Sequence, residues 1–385
     1  MCRIPKMSTP TFSARSLLTR IAMSIALGAS LAAAGDDPEL PPGYTIIEGD
    51  IVVPESLLQV EAAYQTNLWT NEIVPYEFFS NVSQANQTQM LTAMQQWQNV
   101  TNVAFVQCAN NHCAGNYLRI RDSTSNNSQV GMAGGRQDVN IFSWGSTFVM
   151  DHELGHALGY WHEHQRADRN QVIVVHQQNV DPTQCTGSCF TTNFGANAPN
   201  NYGPYDLDSV MHYKECAYAT PPCPCGNPAA CQTIEVLMTC NTLAGVCQSG
   251  ARTGFPCQAN VDCDPRGVGA CNAASSSCAA GRIGQPCTDD ASCDIIVGQR
   301  DHLSHFDGMT MSFLYPESNW RFVNGSYTGP VEAGTFLQPF RSLTSGEAST
   351  PGGGVLWVQP GIYSAVGMYA KPMTLEAPLG AVTLH

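Results

Sequence analysis

The sequence predicts an α+β fold with a disulfide-rich insertion and a β-solenoid-like C-terminal tail. Three observations predict it. Short strand-like segments alternate with two helical patterns over the first half of the chain. A cysteine-rich block with little hydrophobic periodicity occupies residues 216–295, and β runs separated by glycine turns fill residues 325–385. At 385 residues the chain is long enough for two or three domains.

Composition and charge narrow the classes of function. The formal net charge is −14 and only three residues are lysine. This balance argues against nucleic acid or an anionic membrane as the main partner, because both attract a basic surface. Hydrophobic residues make up 43% of the chain, so a core can be buried.

The N-terminus has the pattern of a secretory signal peptide. Basic residues precede an apolar run from Ile21 to Ala34, which is shorter than the roughly 20 residues of a membrane span. We expect residues 1–34 to be cleaved, leaving no membrane contact and a secreted protein, extracellular or periplasmic. A membrane anchor is the alternative. The 17 cysteines fit an oxidising compartment.

Periodicity predicts the elements of the first half. Ser83 is a suitable N-cap for a helix with Met90, Leu91, Met94 and Trp97 on its core face. A second helix is expected to begin at about Thr147. The predicted strands are Ile73–Tyr76, Val103–Val106, Tyr117–Arg121 and Val139–Phe142.

The second helix carries the pattern H-E-x-x-H-x-x-G-x-x-H, from His152 to His162. Because His152 and His156 are four residues apart, their rings lie on one helix face and can share a cation. Gly159 permits the left-handed turn that returns His162 as a third ligand. Three protein ligands leave a coordination position open, which is typical of a catalytic zinc site. Glu153 can reach a water at that position.

The cysteines predict disulfides of two kinds. Cys108 and Cys113 are close enough to bridge locally, and so are Cys185 and Cys189. The block from Cys216 to Cys293 repeats its cysteine spacing and needs cross-links, because it cannot build a sizeable core. Structural zinc held by thiolates is the alternative for this block.

The last sixty residues alternate short β runs with glycine turns, as in Gly352–Tyr363. They resemble the first rungs of a right-handed parallel β-helix of the pectin-lyase-like kind. A short solenoid without a cap is marginally stable, so we expect the chain to be part of a longer protein.

Four stretches resemble the astacin family of zinc endopeptidases, within the metzincins. They are His152–Arg169, Ser209–Tyr213, Val297–Asp307 and Ile47–Ile51. The resemblance implies a catalytic domain divided by the central zinc-binding helix, with a mixed sheet and two helices on one side and an irregular subdomain on the other.

The same resemblance implies the roles of the site residues. His152, His156 and His162 hold one Zn²⁺, and Glu153 is the general base. Tyr213 stabilises the oxyanion and is a further metal ligand in some states. The resemblance also implies that Met211 lies in a tight turn beneath the metal, and that Glu163 meets the new N-terminus after activation. In the latent form it implies that Asp50 occupies the open metal position, with Gly49 allowing its close approach.

We therefore expect a secreted zinc endopeptidase that is made as a zymogen and acts on protein or peptide substrates. The alternative is a non-catalytic or adhesive extracellular binding protein on a protease scaffold. Contact with matrix or glycan through the cysteine-rich or C-terminal segments stays open. The expected organisation is a signal peptide at 1–34, a pro-segment at 35–66, a catalytic domain at 67–320 that contains the insertion at 216–295, and a β-helix-like segment at 325–385.

Overall fold

The computed structural model describes residues 40, 42–47, 50–54, 67–196, 203–223, 231–249, 257–258, 264, 266–267, 269–283, 285–364 and 371–385, all within the unit Pro38–His385. The predicted signal peptide and Gly49 lie outside these residues. In the described ranges, no helix is long and apolar enough to cross a membrane.

The N-terminal half is built on a parallel sheet. Its strands and those of the preceding hairpin are β1 (Tyr44–Ile47), β2 (Ile51–Pro54), β3 (Ile73–Phe78), β4 (Ala104–Gln107), β5 (Tyr117–Asp122), β6 (Ser128–Gln129) and β7 (Arg136–Ile141). The sheet order is β4-β3-β5-β7, and each pair is parallel. A sheet of mixed parallel and antiparallel strands was expected. Among the described residues of this sheet, the antiparallel pairing is a bridge between Asn127 and Asn140 of the edge strand β7. The antiparallel hairpin β1–β2 pairs with β6 and has Asp50 in its turn.

The first helix, α1 (Gln84–Val100), begins where the sequence predicts. The hydroxyl of Ser83 accepts a hydrogen bond from the Asn86 N–H, which satisfies one of the free donors of the first turn. Met90, Met94 and Trp97 are buried, as expected. The prediction for Leu91 is wrong, because its side chain is 41% exposed. It lies beside Met90 in sequence, about 100° around the helix and off the core face.

The second helix, α2 (Thr147–Leu158), is buried from Met150 to its end. The indole N–H of Trp97 donates to the Asp151 carbonyl at 3.0 Å and ties α1 to α2. Gly159 has φ of 125° and donates to the carbonyls of Gly155 and His156. The left-handed conformation that glycine tolerates therefore ends the helix at the predicted position.

The C-terminal half has little regular structure around the site. Apart from the two hairpins of the insertion, its helices and strands before the tail are β8 (Ile173–Val175), α3 (Cys189–Phe194), β9 (Ile234–Val236) and α4 (His305–Leu314). Strands β8 and β9 pair antiparallel. Helix α4 begins with a capping box, in which Ser304 and Asp307 each bond the other's backbone N–H.

The insertion contains two hairpins of the same design, β10–β11 (Thr239–Asn241 and Val246–Ser249) and β12–β13 (Ala270–Asn272 and Ser277–Ala280). Disulfides Cys271–Cys287 and Cys278–Cys293 hold the second one. These four cysteines are therefore not free to bind structural zinc as thiolates, which contradicts the alternative for this repeat. The predicted local bridges Cys108–Cys113 and Cys185–Cys189 are confirmed, and Cys223 pairs with Cys231.

The tail elements are β14 (Trp320–Val323), α5 (Leu343–Ser349), β15 (Val355–Val358), β16 (Gly361–Tyr363), β17 (Thr374–Glu376) and β18 (Val382–Leu384). The strands pair in parallel, in the orders β14-β15-β17 and β16-β18. Phe322 and Phe336 pack on Phe313 of α4 with ring centroids 5.3 and 5.2 Å from it and so belong to the main core. Other buried residues of the tail form a separate cluster, which includes Val323, Leu343 and Leu356.

Candidate metal centre and active site

Three buried histidines converge at the end of α2. His152 and His156 lie one helical turn apart with ring centroids separated by 4.7 Å. The turn at Gly159 returns His162, whose ring lies 4.8 Å from that of His156. The Nε2 atoms of His152 and His162 are 3.2 Å apart. The motif spacing therefore produces the convergence that the sequence predicts.

Backbone carbonyls fix the tautomer of the two helix histidines. His152 donates from Nδ1 to the Val210 carbonyl, and His156 donates from Nδ1 to the Tyr160 carbonyl, both at 2.8 Å. Because Nδ1 carries the proton, Nε2 keeps its lone pair directed at the centre. Burial lowers the pKa of both imidazoles, His156 most strongly, so both are neutral and able to bind a metal.

The donor set fits zinc. Nε2 of His156 and Oδ1 of Asp50 are buried without a hydrogen-bond partner among the described atoms. The ligand atoms of Asp50 and the three histidines lie within 4.8 Å of one another. Three imidazole nitrogens and one carboxylate oxygen make the tetrahedral N/O set that zinc commonly takes. A cation at this centre would satisfy the atoms that the protein leaves unpaired.

Asp50 reaches this centre from the β1–β2 turn. Its Oδ2 is 3.2 Å from Nε2 of His152, and its Oδ1 is 3.2 Å from Nε2 of His162. Burial raises the pKa of Asp50, but the neighbouring imidazoles of His162 and His152 lower it by more, so the net pKa is well below normal. The carboxylate therefore stays ionised among the ligands.

Glu153 follows the first ligand and is buried, with Oε2 unpaired among the described atoms. Burial and the charge of Asp50 raise its pKa well above the usual value. Glu153 lines the same open cleft of 540 Å³ as Asp50 and His152. A carboxyl group with a raised pKa accepts a proton more readily than an ordinary glutamate does.

Met211 packs beneath the site. A Cβ at Gly155 would lie 2.7 Å from the Met211 sulfur, so a larger residue at this contact would force the Met211 side chain to shift. The Met211 carbonyl accepts the N–H of Glu163 at 3.1 Å, next to His162. The turn therefore supports both the helix and the third ligand by packing.

Tyr213 lies at the wall of the cleft. Its ring stacks on His164 with centroids 3.9 Å apart and lies 4.8 Å from the ring of His162. Its hydroxyl is hydrogen-bonded with Tyr218. Gly298, with φ of 60°, approaches the Tyr213 backbone so closely that a Cβ would lie 2.5 Å from it. This packing fixes the position of the tyrosine backbone.

Glu163 lies on the other side of His162, at a small enclosed cavity of about 30 Å³. It pairs with Arg166 at 3.1 Å and accepts the Asp206 N–H at 2.7 Å. Burial raises the pKa of Glu163 to about 7 despite Arg166. Glu163 follows His162 directly in the chain, and the structure shows its partners Arg166 and Asp206.

Arg300 is a cleft residue whose role the sequence reasoning missed. It lines the cleft with Lys214, and its Nη1 donates to the carbonyls of His212, Gly298 and Gln299. Its position in the matched stretch Val297–Asp307 was the available signal. Burial lowers the pKa of Arg300, and the nearby Asp50, Asp307 and Glu153 act in the opposite direction.

A comparison with known protein families matches the part of the chain that contains the three histidines. The sequence model of the peptidase family described as Astacin matches residues 61–229. The chain is 33% identical over 183 residues to the low choriolytic enzyme of Oryzias latipes, covering 45% of this chain and 64% of the enzyme. It is 31% identical over 186 residues to astacin-like metalloprotease toxin 1 of Loxosceles intermedia, covering 46% and 67%.

A similar solved structure is the hatching enzyme zinc-protease HCE-1 of Oryzias latipes. It is 20% identical, with a TM-score of 0.44, over 66% of this chain and 98% of that one. The chain spans 62 to 64% of the length of the choriolytic enzymes it matches.

Proposed function

Because the chain belongs to the astacin family of zinc metalloendopeptidases, we propose that it hydrolyses internal peptide bonds of protein substrates. His152, His156 and His162 would hold the one catalytic zinc. The zinc supplies Lewis acidity that activates a water and polarises the scissile carbonyl. The observation that carries the proposal is the convergence of three Nε2 atoms beside the unpaired carboxylate of Glu153.

Glu153 moves the proton. Its Oε2 takes a proton from the attacking water and returns it to the leaving amine. The raised pKa suits this task, because a base that is too weak would take no proton and one that is too strong would not release it. Removal of Asp50 lowers this pKa, since the Asp50 charge is one of its two main causes.

Tyr213 donates its hydroxyl hydrogen bond to the developing oxyanion. To do so the hydroxyl leaves Tyr218, while the stacking on His164 keeps the ring beside the site. A donor directed at the oxyanion is strengthened when bound substrate excludes water from the cleft. Lys214 and Arg300 orient acidic groups of the substrate at the same wall.

The precursor is a secreted zymogen. Residues 1–34 form the signal peptide and 35–66 the pro-segment. Asp50 occupies the position that the substrate carbonyl and water need, so the uncut chain is latent. After cleavage the new N-terminal ammonium pairs with Glu163, whose ionised form it stabilises.

The catalytic domain at 67–320 contains the insertion at 216–295, which is held by disulfides. The segment at 325–385 is β-helix-like, as its parallel strand pairs support. Extracellular matrix or glycan is the kind of partner that such appendages would add to the protein substrate.

The test is cleavage of an unfolded protein by the processed chain. One matched sample carries Glu153→Gln, which keeps the shape of the side chain and removes the base. In the other, a chelator removes the metal from the wild-type chain. Loss of cleavage in both supports the proposal. One zinc bound per chain without cleavage in the processed wild type would instead support a non-catalytic binding protein on this scaffold.

A further inference from the structure

The ring of Tyr213 lies in an aromatic pocket at the wall of the cleft. It stacks on the ring of His164, with centroids 3.9 Å apart. Phe194 of α3 and Tyr218 lie farther out, with ring centroids 6.0 and 6.1 Å from that of Tyr213. Because Tyr213 is only 8% exposed, its surroundings enclose the ring and favour one position of the side chain.

Tyr218 supplies the polar end of this pocket. Its hydroxyl is hydrogen-bonded with the hydroxyl of Tyr213 and with the side chain of Asn193. Asn193 is buried on α3, and its backbone carbonyl accepts a hydrogen bond from Nε2 of His164 at 2.8 Å. Helix α3 therefore supports both contacts of Tyr213, the ring stack through His164 and the hydroxyl contact through Tyr218.

The backbone of Tyr218 is in the left-handed region, with φ of 56°. A bulky residue rarely adopts this conformation, and such residues cluster at functional sites, where the surrounding contacts hold them. The Tyr218 carbonyl accepts the Asp181 N–H at 2.8 Å, and Val180 forms an antiparallel bridge with Ala219. These contacts keep the strained residue in place, with its hydroxyl beside that of Tyr213.

We propose that Tyr218 is a positioning residue, which holds the hydroxyl of Tyr213 away from the metal position until a substrate oxyanion takes its place as hydrogen-bond partner. A phenol can bind a metal cation only after it releases its proton. The contact with Tyr218 stabilises the protonated hydroxyl at the cleft wall and so competes with metal binding. This inference rests on the proposed peptidase function, in which Tyr213 donates to the oxyanion.

A visible absorption band can report where the Tyr213 hydroxyl lies. Cu²⁺ takes imidazole ligands as zinc does, and a phenolate bound to Cu²⁺ gives a charge-transfer band that a hydrogen-bonded phenol does not give. The full chain carries Asp50→Ala, which frees the metal position. Adding Tyr218→Phe should increase the band about fivefold per copper ion, the population shift expected from the loss of one hydrogen bond.

Three further variants in the same Asp50→Ala background serve as controls. Tyr213→Phe should abolish the band, which assigns it to this residue. Asn193→Ala removes the other partner of the Tyr218 hydroxyl and should increase the band less than Tyr218→Phe does. The matched control is Tyr327→Phe in the tail. The Tyr327 hydroxyl donates to the Val331 carbonyl at 2.9 Å, so its loss should leave the band unchanged.

Equal bands with and without the Tyr218 hydroxyl, in samples with equal copper content and the same circular dichroism, would overturn the proposal. A band that survives Tyr213→Phe would also overturn it. Because the band needs no hydrolysis, the two proposals fail separately. A chain that shows the expected bands but cleaves no protein refutes the peptidase alone. An active peptidase whose band is insensitive to Tyr218→Phe refutes the role of Tyr218 alone.

Discussion

The carboxylate of Asp307 holds the peptide N–H of Val210 at 2.9 Å. The carbonyl of the same Val210 residue accepts the Nδ1 proton of His152 at 2.8 Å. Asp307 also accepts the Ser209 hydroxyl at 2.6 Å. The start of α4 is thereby connected, through one residue of the turn, to the first metal ligand.

Asp307→Ala should weaken zinc binding by about tenfold to a hundredfold, because outer contacts orient a ligand and set its tautomer. Asp307→Asn should restore most of the affinity, since an amide oxygen can still accept from Val210. Competition with a chromophoric chelator, on samples shown to be folded by circular dichroism, measures both.

The control for this prediction is Ser304→Ala. It removes the hydroxyl that accepts the Asp307 N–H at 2.8 Å but leaves the contact with Val210. We expect lower stability with unchanged zinc affinity. If Ser304→Ala weakened zinc as much as Asp307→Ala, the effect would be one of general destabilisation.

Asp50→Ala should make the uncut precursor active, because it frees the position that the carboxylate holds among the three histidines. The readout is the cleavage rate of a quenched fluorescent peptide by precursor whose intact length is verified on a gel. The control is the double variant Asp50→Ala with Glu153→Ala, which should not cleave the peptide. An inactive Asp50→Ala precursor, measured beside an active processed enzyme, would contradict inhibition of the precursor by Asp50.

His302 should make stability depend on pH. Burial lowers its pKa, but the hydrogen bond with Asp208 at 2.8 Å and the contacts with Asp301 raise it more, against the nearby Arg282, and the net pKa lies above 6.5. A raised histidine pKa stabilises the fold fully below the unfolded value, and this stabilisation is lost as pH rises through the folded one.

The measurement is the difference in melting temperature between about pH 5.5 and about pH 8.5. Protonated His302 stabilises the folded state at the lower pH, so His302→Gln should lower the melting temperature more at the lower pH than at the higher pH. His305→Gln, at an exposed position on α4, is the control. An identical pH dependence of the melting temperature in wild type and His302→Gln would show that this histidine does not contribute to it.

Phe322→Ala should destabilise the whole chain by about 3–5 kcal/mol, the usual cost of truncating a buried aromatic. Phe322 is buried against Phe313 of α4, so the tail and the catalytic core share one cluster. Denaturant unfolding should show the catalytic core losing structure earlier in the variant. Phe142→Ala, which removes an exposed ring, is the control. An unmoved catalytic transition would mean that the tail folds independently.

Much of the site could be predicted because it is local in sequence. The four-residue spacing of His152 and His156 fixes their shared face once a helix forms. Gly159 sets the turn that returns His162, and Ser83 sets the start of α1. The short disulfides close loops that need no knowledge of the rest of the fold.

The fold class also followed from local patterns, with exceptions that have a common cause. Leu91 fits a helical apolar pattern as well as Met90 does, but packing against α2 and α4 selects Met90 and leaves Leu91 in solvent. The periodicity of apolar residues locates the buried face of a helix to within about one residue. The centre of that face depends on which elements pack against the helix.

By itself, then, the sequence determined the convergence of His152, His156 and His162, the place of Glu153 among them and the helix that presents them. The tertiary structure alone decided the link from Asp307 to Val210, the place of Arg300 in the cleft and the joining of Arg266 to Glu215. The physical reason is range. Backbone geometry dictates contacts within one or two turns, whereas contacts between residues 51 or 97 positions apart exist only after the core has brought distant segments together.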